Sequence, residues 1–460
     1  MPSNPESLQA ISALDGRYKQ KVELLALYVS EQALMSYRVR VEAEYFIALS
    51  NLRGLGPRKL STREISILRK TIKLSSEDAE RIKTIEATTN HDVKAVEYFM
   101  REKLASSSLK TELQWLHFGL TSEDVNNISY ALMLRDTLEG ALIPHLRSLL
   151  KALKALARTY AAAVMLARTH GQPASPTTFG KEMSVFAARL ERELRKLEVF
   201  PISAKLNSAT GNYNALVAAA PKIDWPAFSK KFIVSFNKRK GVTLSCVLHT
   251  TQIEPHDTYA ELFQILARIN TICMGFDQDI WRYVSDGWVK QKAKKGEVGS
   301  STMPHKINPI DFENSEGNLG VANALLNFFA QKLPISRLQR DLSDSTVERN
   351  FGTALAHAYL GYDSLLRGLG KIEPDTRIMR EAITAHPEVL AEAIQIILRR
   401  EGVESSYELL KDLTRGKQIT LAGIRAFIKT LPVSDAVKKE LQKLTPENYI
   451  GLAAKLAKTS

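Results

Sequence analysis

Apolar residues recur at intervals of three and four along most of this chain. Leu142, Leu146, Leu149, Leu153 and Leu156 form a narrow stripe of the kind that packs in a helix bundle. Tyr259, Leu262, Phe263, Leu266, Ile269, Ile272, Phe276, Ile280 and Tyr283 keep the same spacing over roughly six turns. Val185, Phe186, Leu190, Leu194 and Leu197 make a shorter stripe. Period-two alternation is scarce, and Gly241–Leu248 is the best strand candidate. The pattern predicts an all-α protein. Helices this long exceed the needs of a small domain, so they predict an extended bundle whose apolar faces are completed by other chains.

Helix length divides the sequence into three zones. Residues 1–110 carry short helical patterns separated by breaks such as Arg53-Gly-Leu-Gly-Pro57. Residues 111–365 carry the long ones. Residues 366–460 return to short patterns, with breaks near Gly416 and Pro432. The expected domains follow: an N-terminal helical domain, a central long-helix domain and a small C-terminal helical domain.

Composition narrows the class of protein. At 44% apolar and 25% charged residues the chain is an ordinary globular protein, which excludes disordered and fibrous classes. The formal charge of +13 admits nucleic acid, an anionic surface or an anionic small substrate as partner. The cations are scattered through the helical patterns. Their densest run, Lys290, Lys292, Lys294 and Lys295, abuts the most chemically loaded loop. Anionic small substrates are therefore expected, with no nucleic-acid and no membrane partner. Cys246 and Cys273 are far apart and form no CxxC, which fits a reducing cytoplasm. Met-Pro-Ser-Asn-Pro-Glu at the start has no basic region followed by an apolar run, so no signal peptide is expected.

That loaded loop reads Gly-Ser-Ser-Thr-Met-Pro-His-Lys-Ile-Asn-Pro-Ile-Asp-Phe-Glu-Asn-Ser-Glu-Gly-Asn over residues 299–318 and leads into a helical pattern. Ser300, Ser301, Lys306, Asn308 and Asn314 put hydroxyls, a cation and amides within a short reach, a set suited to a dianionic substrate. Gly296 and Gly299 admit the backbone angles of a closing loop. Arg168-Thr-His-Gly-Gln-Pro-Ala-Ser-Pro176 breaks a helical pattern and leaves His170 among small neighbours. Imidazole gives or takes a proton near neutral pH; a histidine bonded to backbone at a helix end is the plainer alternative.

Three further segments precede or interrupt helices. Asn90-His91-Asp92 has the composition of an N-cap at Asn90 or nearby, with Asp92 favourable in the first turn. Thr121 and Ser122 open another helix, with Asp124 placed to close a capping box, and a helix start attracts anions. Arg17 and Tyr18, with Arg340, Ser345 and Arg349 in the 337–349 segment, supply guanidinium forks and hydroxyls suited to a phosphate monoester. Taken alone, each of these arginine segments reads first as a surface salt-bridge site. No P-loop, GxGxxG, HExxH or clustered metal-ligand spacing occurs, so no cofactor and no metal are expected.

Gly-Ser-Ser-x-Met-Pro-x-Lys-x-Asn-Pro resembles the signature of the fumarase/aspartase superfamily. The longer version here, with His305 before the lysine and Asp-Phe-Glu-Asn-Ser-Glu-Gly-Asn after it, resembles the adenylosuccinate lyase family. Thr-His-Gly-Gln-Pro-Ala is similar to a second superfamily motif. The resemblance runs in order from Asp15 to Arg349. It implies a three-domain fumarase/aspartase-like fold with a long central bundle completed by tetramerisation, and active sites shared among the chains of a homotetramer. It implies β-elimination of fumarate from adenylosuccinate and from the succinylaminoimidazole carboxamide ribotide. His170 would be the acid and Ser300 the base. Ser301, Lys306, Asn308, Asn314, Thr121 and Ser122 would bind carboxylates and neighbouring groups. Asn90, His91, Asp92 and Gln252 would line the nucleotide site, with His91 a second acid-base or orienting candidate after His170, and Arg17, Tyr18, Arg340, Ser345 and Arg349 would line the phosphate. Argininosuccinate lyase or another fumarate-releasing sibling is the alternative, and the arginine-rich 337–349 segment argues against substrates without phosphate.

Overall fold

A computed structural model describes residues 8–292, 303, 306–414 and 419–459. Helices dominate it. The N-terminal zone holds helices Lys19–Val29, Glu31–Leu49, Thr62–Lys70, Ser76–Thr89 and Asp92–Leu104. Serines begin three of them: Ser30, Ser61 and Ser75 each accept a backbone N–H of the first turn, and Ser61 with Glu64 forms a full capping box. Their apolar faces meet in one core that includes Val39, Phe46, Leu68, Ile82, Val96 and Phe99. The expected break at 53–57 is a loop, with Gly54 at φ +87°.

The long helical patterns fold as expected. Helix Ser122–Thr137 continues through a π-helical turn, Leu138–Leu142, into helix Ile143–Thr159. Gly140 sits in that turn because a Cβ there would lie 2.3 Å from the Tyr28 hydroxyl. Of the leucine stripe, Leu142, Leu146, Leu149 and Leu153 are buried, and Leu156 is half-buried. Helix Asp257–Ser285 buries every apolar position from Tyr259 to Ile280 that the periodicity selected. Phe263 packs on Phe329 and Phe351 with ring centroids 5.5 and 5.0 Å apart. Helix Phe179–Glu198 buries Phe186, Leu190, Leu194 and Leu197 but leaves Val185 exposed on its flank. Helices Ile310–Lys332 and Phe351–Lys371 complete the long set.

Three small strand pairs depart from the purely helical expectation. Val164–Thr169 pairs antiparallel with Gln172–Thr178, Pro201–Ala204 parallel with Thr243–Cys246, and Val289–Gln291 antiparallel with Ile372–Pro374. Thr243–Cys246 lies inside the one stretch whose alternation favoured a strand. Val164–Thr169 and Gln172–Thr178 show no clear alternation and the rest are only three or four residues long; prolines in Gln172–Thr178 are tolerated because a two-stranded ribbon has an open edge on each strand.

Residues group by packing into two compact units, a division that follows contacts where the three zones follow helix length. One comprises 1–147, 193–271 and 317–363; the other comprises 148–192, 272–316 and 364–460. Within the second, the C-terminal segment has its own core of Leu390, Ile394, Leu398, Ile424, Ile428 and Leu441. The break expected at Pro432 follows helix Leu421–Thr430; that at Gly416 lies outside the described residues.

Candidate active site

His170 occupies the tip of a β-hairpin. Thr169 pairs with Gln172, so His170 and Gly171 are the two central residues of the turn, with φ of +55° and +76°. Positive φ at both positions is the requirement of a type I′ turn, whose twist matches that of the strands it joins. Glycine meets it without strain, whereas histidine meets it at a cost, and such outliers concentrate at functional sites. The imidazole is exposed. Arg168 reinforces the tip by donating to the Gly171 carbonyl at 3.3 Å, with its guanidinium 5.7 Å from the Trp288 ring centroid. The sequence expected a break between helices here; the chain instead turns back on itself as a ribbon.

Of the signature segment, residues 303 and 306–316 belong to the same compact unit. Ser300 and Ser301, with Gly296, Gly299 and His305, lie outside the described residues. Lys306 is exposed and its N–H donates to the Met303 carbonyl at 3.0 Å. Asn308 is half-buried just before helix Ile310–Lys332. Asn314 was expected on the loop. It lies instead in the second turn of that helix, where its Nδ2 donates to Ser364 Oγ at 2.8 Å. The helix begins at Ile310 because Pro309, which precedes it, lacks the N–H that a continuing helix would need.

The remaining predicted residues belong to the other unit, and several converge there on two helix starts. His91, not Asn90, caps helix Asp92–Leu104, its Nδ1 accepting the Lys94 N–H at 3.2 Å. Asn90 ends the preceding helix in the left-handed region, at φ +50°. Asp92 stands in the first turn as expected, and its Oδ2 is shared by two arginines: Arg38 Nη2 at 2.6 Å and Arg349 Nη2 at 3.1 Å. Burial pushes the Asp92 carboxyl up, but the charge of Arg38, the Val93 N–H and Arg349 together hold it below its ordinary range. Arg38 is itself buried and pinned through Nε to Asn126 Oδ1 at 2.9 Å. Arg349 also donates to the carbonyl and hydroxyl of Ser345. Arg38, Lys83, Asp92, Tyr130, Glu348 and Arg349 line a cavity of about 340 Å³.

The second helix start is that of Ser122–Thr137. Thr121 is its N-cap, and the Thr121 N–H donates to Asp124 Oδ2 at 2.9 Å, the return arm of the expected box. Asp124 Oδ1 faces the buried ammonium of Lys205 at 2.9 Å and accepts the Asn207 N–H at 3.0 Å. Gln252 is a bracket between two loops: its Nε2 donates to Ala209 O at 3.1 Å and its Oε1 accepts from Arg340 Nη1 at 3.3 Å. Arg340 Nη2 lies 3.0 Å from Glu123 Oε2, and its Nε lies 3.5 Å from Asp344 Oδ2. Arg17 is exposed and Tyr18 half-buried just ahead of helix Lys19–Val29, with Lys21 Nζ 5.7 Å from the Tyr18 ring centroid.

A buried titratable cluster behind Arg340 escaped the sequence reading. Glu123 and His256 are fully buried and Glu348 nearly so. His256 Nε2 lies 3.3 Å from Glu348 Oε1. Burial, reinforced by the Glu348 charge, pushes the Glu123 carboxyl up to about 8. Burial alone would pull His256 down, but the Glu348 carboxylate raises it to about 9. Glu123 was visible between two residues already selected, and Arg38 was a charge on an apolar face beside Leu34, Met35 and Val41. His256 and Glu348 carried no such signal.

Residues 16–323 match the family described as lyase, and residues 336–450 match that described as adenylosuccinate lyase C-terminal. Over 450 residues the chain is 48% identical to an adenylosuccinate lyase of Escherichia coli, covering 97% of each chain. It is also 48% identical over 456 residues to an adenylosuccinate lyase of Dictyostelium discoideum, again covering 97% of each. Among solved structures, a fumarate lyase from a Mesorhizobium species superimposes with a TM-score of 0.74 at 20% identity, covering 96% of this chain and 97% of that one. At that identity the likeness speaks for the fold alone.

Proposed function

The chain belongs to the adenylosuccinate lyase family, and on that premise we propose how its residues divide the reaction between them. The reaction is β-elimination of fumarate from adenylosuccinate, leaving AMP, and from the succinylaminoimidazole carboxamide ribotide, leaving its carboxamide product. The observation that carries it is identity of 48% sustained over 97% of the chain, through a last quarter that bears no recognised motif. Argininosuccinate lyase is not favoured.

Elimination requires a base at the succinyl carbon that bears no nitrogen, an acid at the departing nitrogen, and donors facing the carboxylate whose charge grows. Ser300 takes the proton, the carbanion delocalises into the adjacent carboxylate, and His170 protonates nitrogen as the C–N bond breaks. A serine hydroxyl is a poor base unless its alkoxide is stabilised, and the exposed ammonium of Lys306, six residues along the same segment, supplies a suitable charge. Ser301, Asn308, Thr121 and Ser122 bind carboxylates; the start of helix Ser122–Thr137 adds its own partial positive charge. Arg17, Tyr18, Arg340, Ser345 and Arg349 take the 5′-phosphate. A hairpin tip supports the acid's role because it exposes His170 while the strand pair fixes its backbone.

A homotetramer with shared active sites accounts for apolar side chains left uncovered on a long helix, such as Val321 at 46% and Phe328 at 50% exposure on Ile310–Lys332. Among the described residues no helix is long and apolar enough to cross a membrane. Two free cysteines, Cys246 and Cys273, suit a cytoplasmic setting. The direct test is to add adenylosuccinate and follow the ultraviolet change as the succinyl group leaves. No change with the wild-type chain would overturn the assignment.

A further inference from the structure

The Thr121–Ser122 helix start and Arg340 are linked by a closed ring of contacts. From Thr121, the ring passes to Asp124 Oδ2, and Asp124 Oδ1 accepts the Ser208 N–H at 3.3 Å. The next residue, Ala209, offers its carbonyl to Gln252 Nε2, and Gln252 Oε1 accepts from Arg340 Nη1. The Gln252 N–H donates to the Gln339 carbonyl at 3.2 Å, so the glutamine holds both the backbone and the side chain of the arginine segment. Glu123 closes the ring: it follows Ser122 in sequence and places Oε2 3.0 Å from Arg340 Nη2.

Glu123 has no exposed surface, whereas the Arg340 side chain keeps 12%. A buried carboxyl group facing a less buried guanidinium fixes one edge of the fork and turns the other outward. Arginine has five N–H donors. Gln252 accepts from Nη1, while Glu123 and Asp344 stand beside Nη2 and Nε at ion-pair distance, which leaves at least one N–H on each terminal nitrogen with no hydrogen-bond partner among the described residues. Two N–H groups on adjacent nitrogens match two oxygens of a phosphate monoester.

We propose that Glu123 is a positioning residue for Arg340, holding its fork in register with the Thr121–Ser122 helix start so that one rigid ring spaces the phosphate and carboxylate ends of the substrate. The proposal rests on the reading of Arg340 as a phosphate ligand. A side chain held at both ends gives up little freedom on binding, and a displaced fork loses a charge-assisted bond.

The test is AMP binding by calorimetry, with steady-state kinetics, for Glu123→Gln, Arg340→Met and the double variant. Arg340→Met weakens AMP about tenfold, the value of a lost charge-assisted hydrogen bond. Above pH 8, where the Glu123 carboxyl is ionised, Glu123→Gln weakens AMP to a similar degree and raises KM more than it lowers kcat. The double variant binds AMP no more weakly than Arg340→Met alone, which a merely structural role for Glu123 would not produce. Should Glu123→Gln fail to fold, Glu123→Asp keeps the carboxyl but shortens the arm, and a loss of about threefold is expected. Unchanged AMP affinity in folded Glu123 variants, beside a weakened Arg340→Met, overturns the positioning role. Unchanged affinity in Arg340→Met overturns the phosphate reading itself.

Discussion

Lys205 Nζ stands 2.9 Å from Asp124 Oδ1, and neither side chain has any exposed surface. The ammonium also donates to the Ser208 carbonyl at 2.9 Å. A charge pair this deep is retained only when each partner has the other, since either alone would be an uncompensated buried ion. Asp124 also holds the Thr121 N–H, so the pair underlies one helix start of the candidate site. Lys205→Met is expected to destabilise the protein by about 3–5 kcal/mol. Asp124→Asn should cost a similar amount and the two together less than their sum. Thermal unfolding of the three variants, at matched protein concentration, measures this; additive losses would show that the charges act independently.

His170 carries both a chemical and a conformational demand. His170→Ala should lower kcat by about 10²–10⁴-fold, the usual range for a lost general acid. His170→Asn should lose as much activity while leaving the melting temperature unchanged, because asparagine tolerates the left-handed backbone of the turn. Activity retained in His170→Asn would remove the imidazole from proton transfer.

Ser300→Ala is expected to abolish turnover and leave substrate affinity largely intact. Mixing it with inactive His170→Ala in reassembled oligomers should restore part of the activity if the two residues of one site come from different chains. Ultraviolet assays before and after denaturation and reassembly would read it out. Retained turnover in Ser300→Ala alone would dismiss the serine as base.

Alkaline pH should destabilise the fold. Burial pushes Asp277 up to about 8, so the folded state holds a proton that the unfolded chain releases near pH 4. Its stability is highest in acid and declines as pH rises towards 8. His256, raised to about 9, contributes stability fully present below about pH 6.5 and lost as pH climbs through 9. Both signs agree. The melting temperature is expected to fall between pH 6.5 and pH 9. Asp277→Asn should flatten that fall and gain on the order of a few kcal/mol above pH 8. A melting temperature that rises with pH would contradict the burial of both groups.

Asp92→Asn probes the shared carboxylate between Arg38 and Arg349. Losing the charge frees Arg349, whose remaining contacts are to neighbouring Ser345, and leaves buried Arg38 with an uncharged partner. KM should rise about tenfold, with the larger loss at high ionic strength. An unchanged KM would place Arg349 outside the binding site.

Much of this protein was legible before its coordinates. The helix from Tyr259 to Tyr283 was plain because a fully buried stripe repeats for many turns, and Thr121 with Asp124 announced a cap by residue type alone. The hairpin at His170 was not, because neither of the six- and seven-residue strands on either side alternates clearly and the second carries two prolines. Asn314 was placed on the loop because Pro309, which immediately precedes the helix, was read as part of a longer break.

The sequence by itself determined the helical character and the local caps, since each depends on residues a few positions apart. Tertiary structure alone decided which side chains meet. Arg38 reaches Asp92, Glu123 reaches Arg340 and Lys205 reaches Asp124 across separations that no local pattern encodes. Those meetings are set by how helices pack, and at Asp92 burial and the charge of Arg38 together, not the residue type alone, decide where the carboxyl titrates.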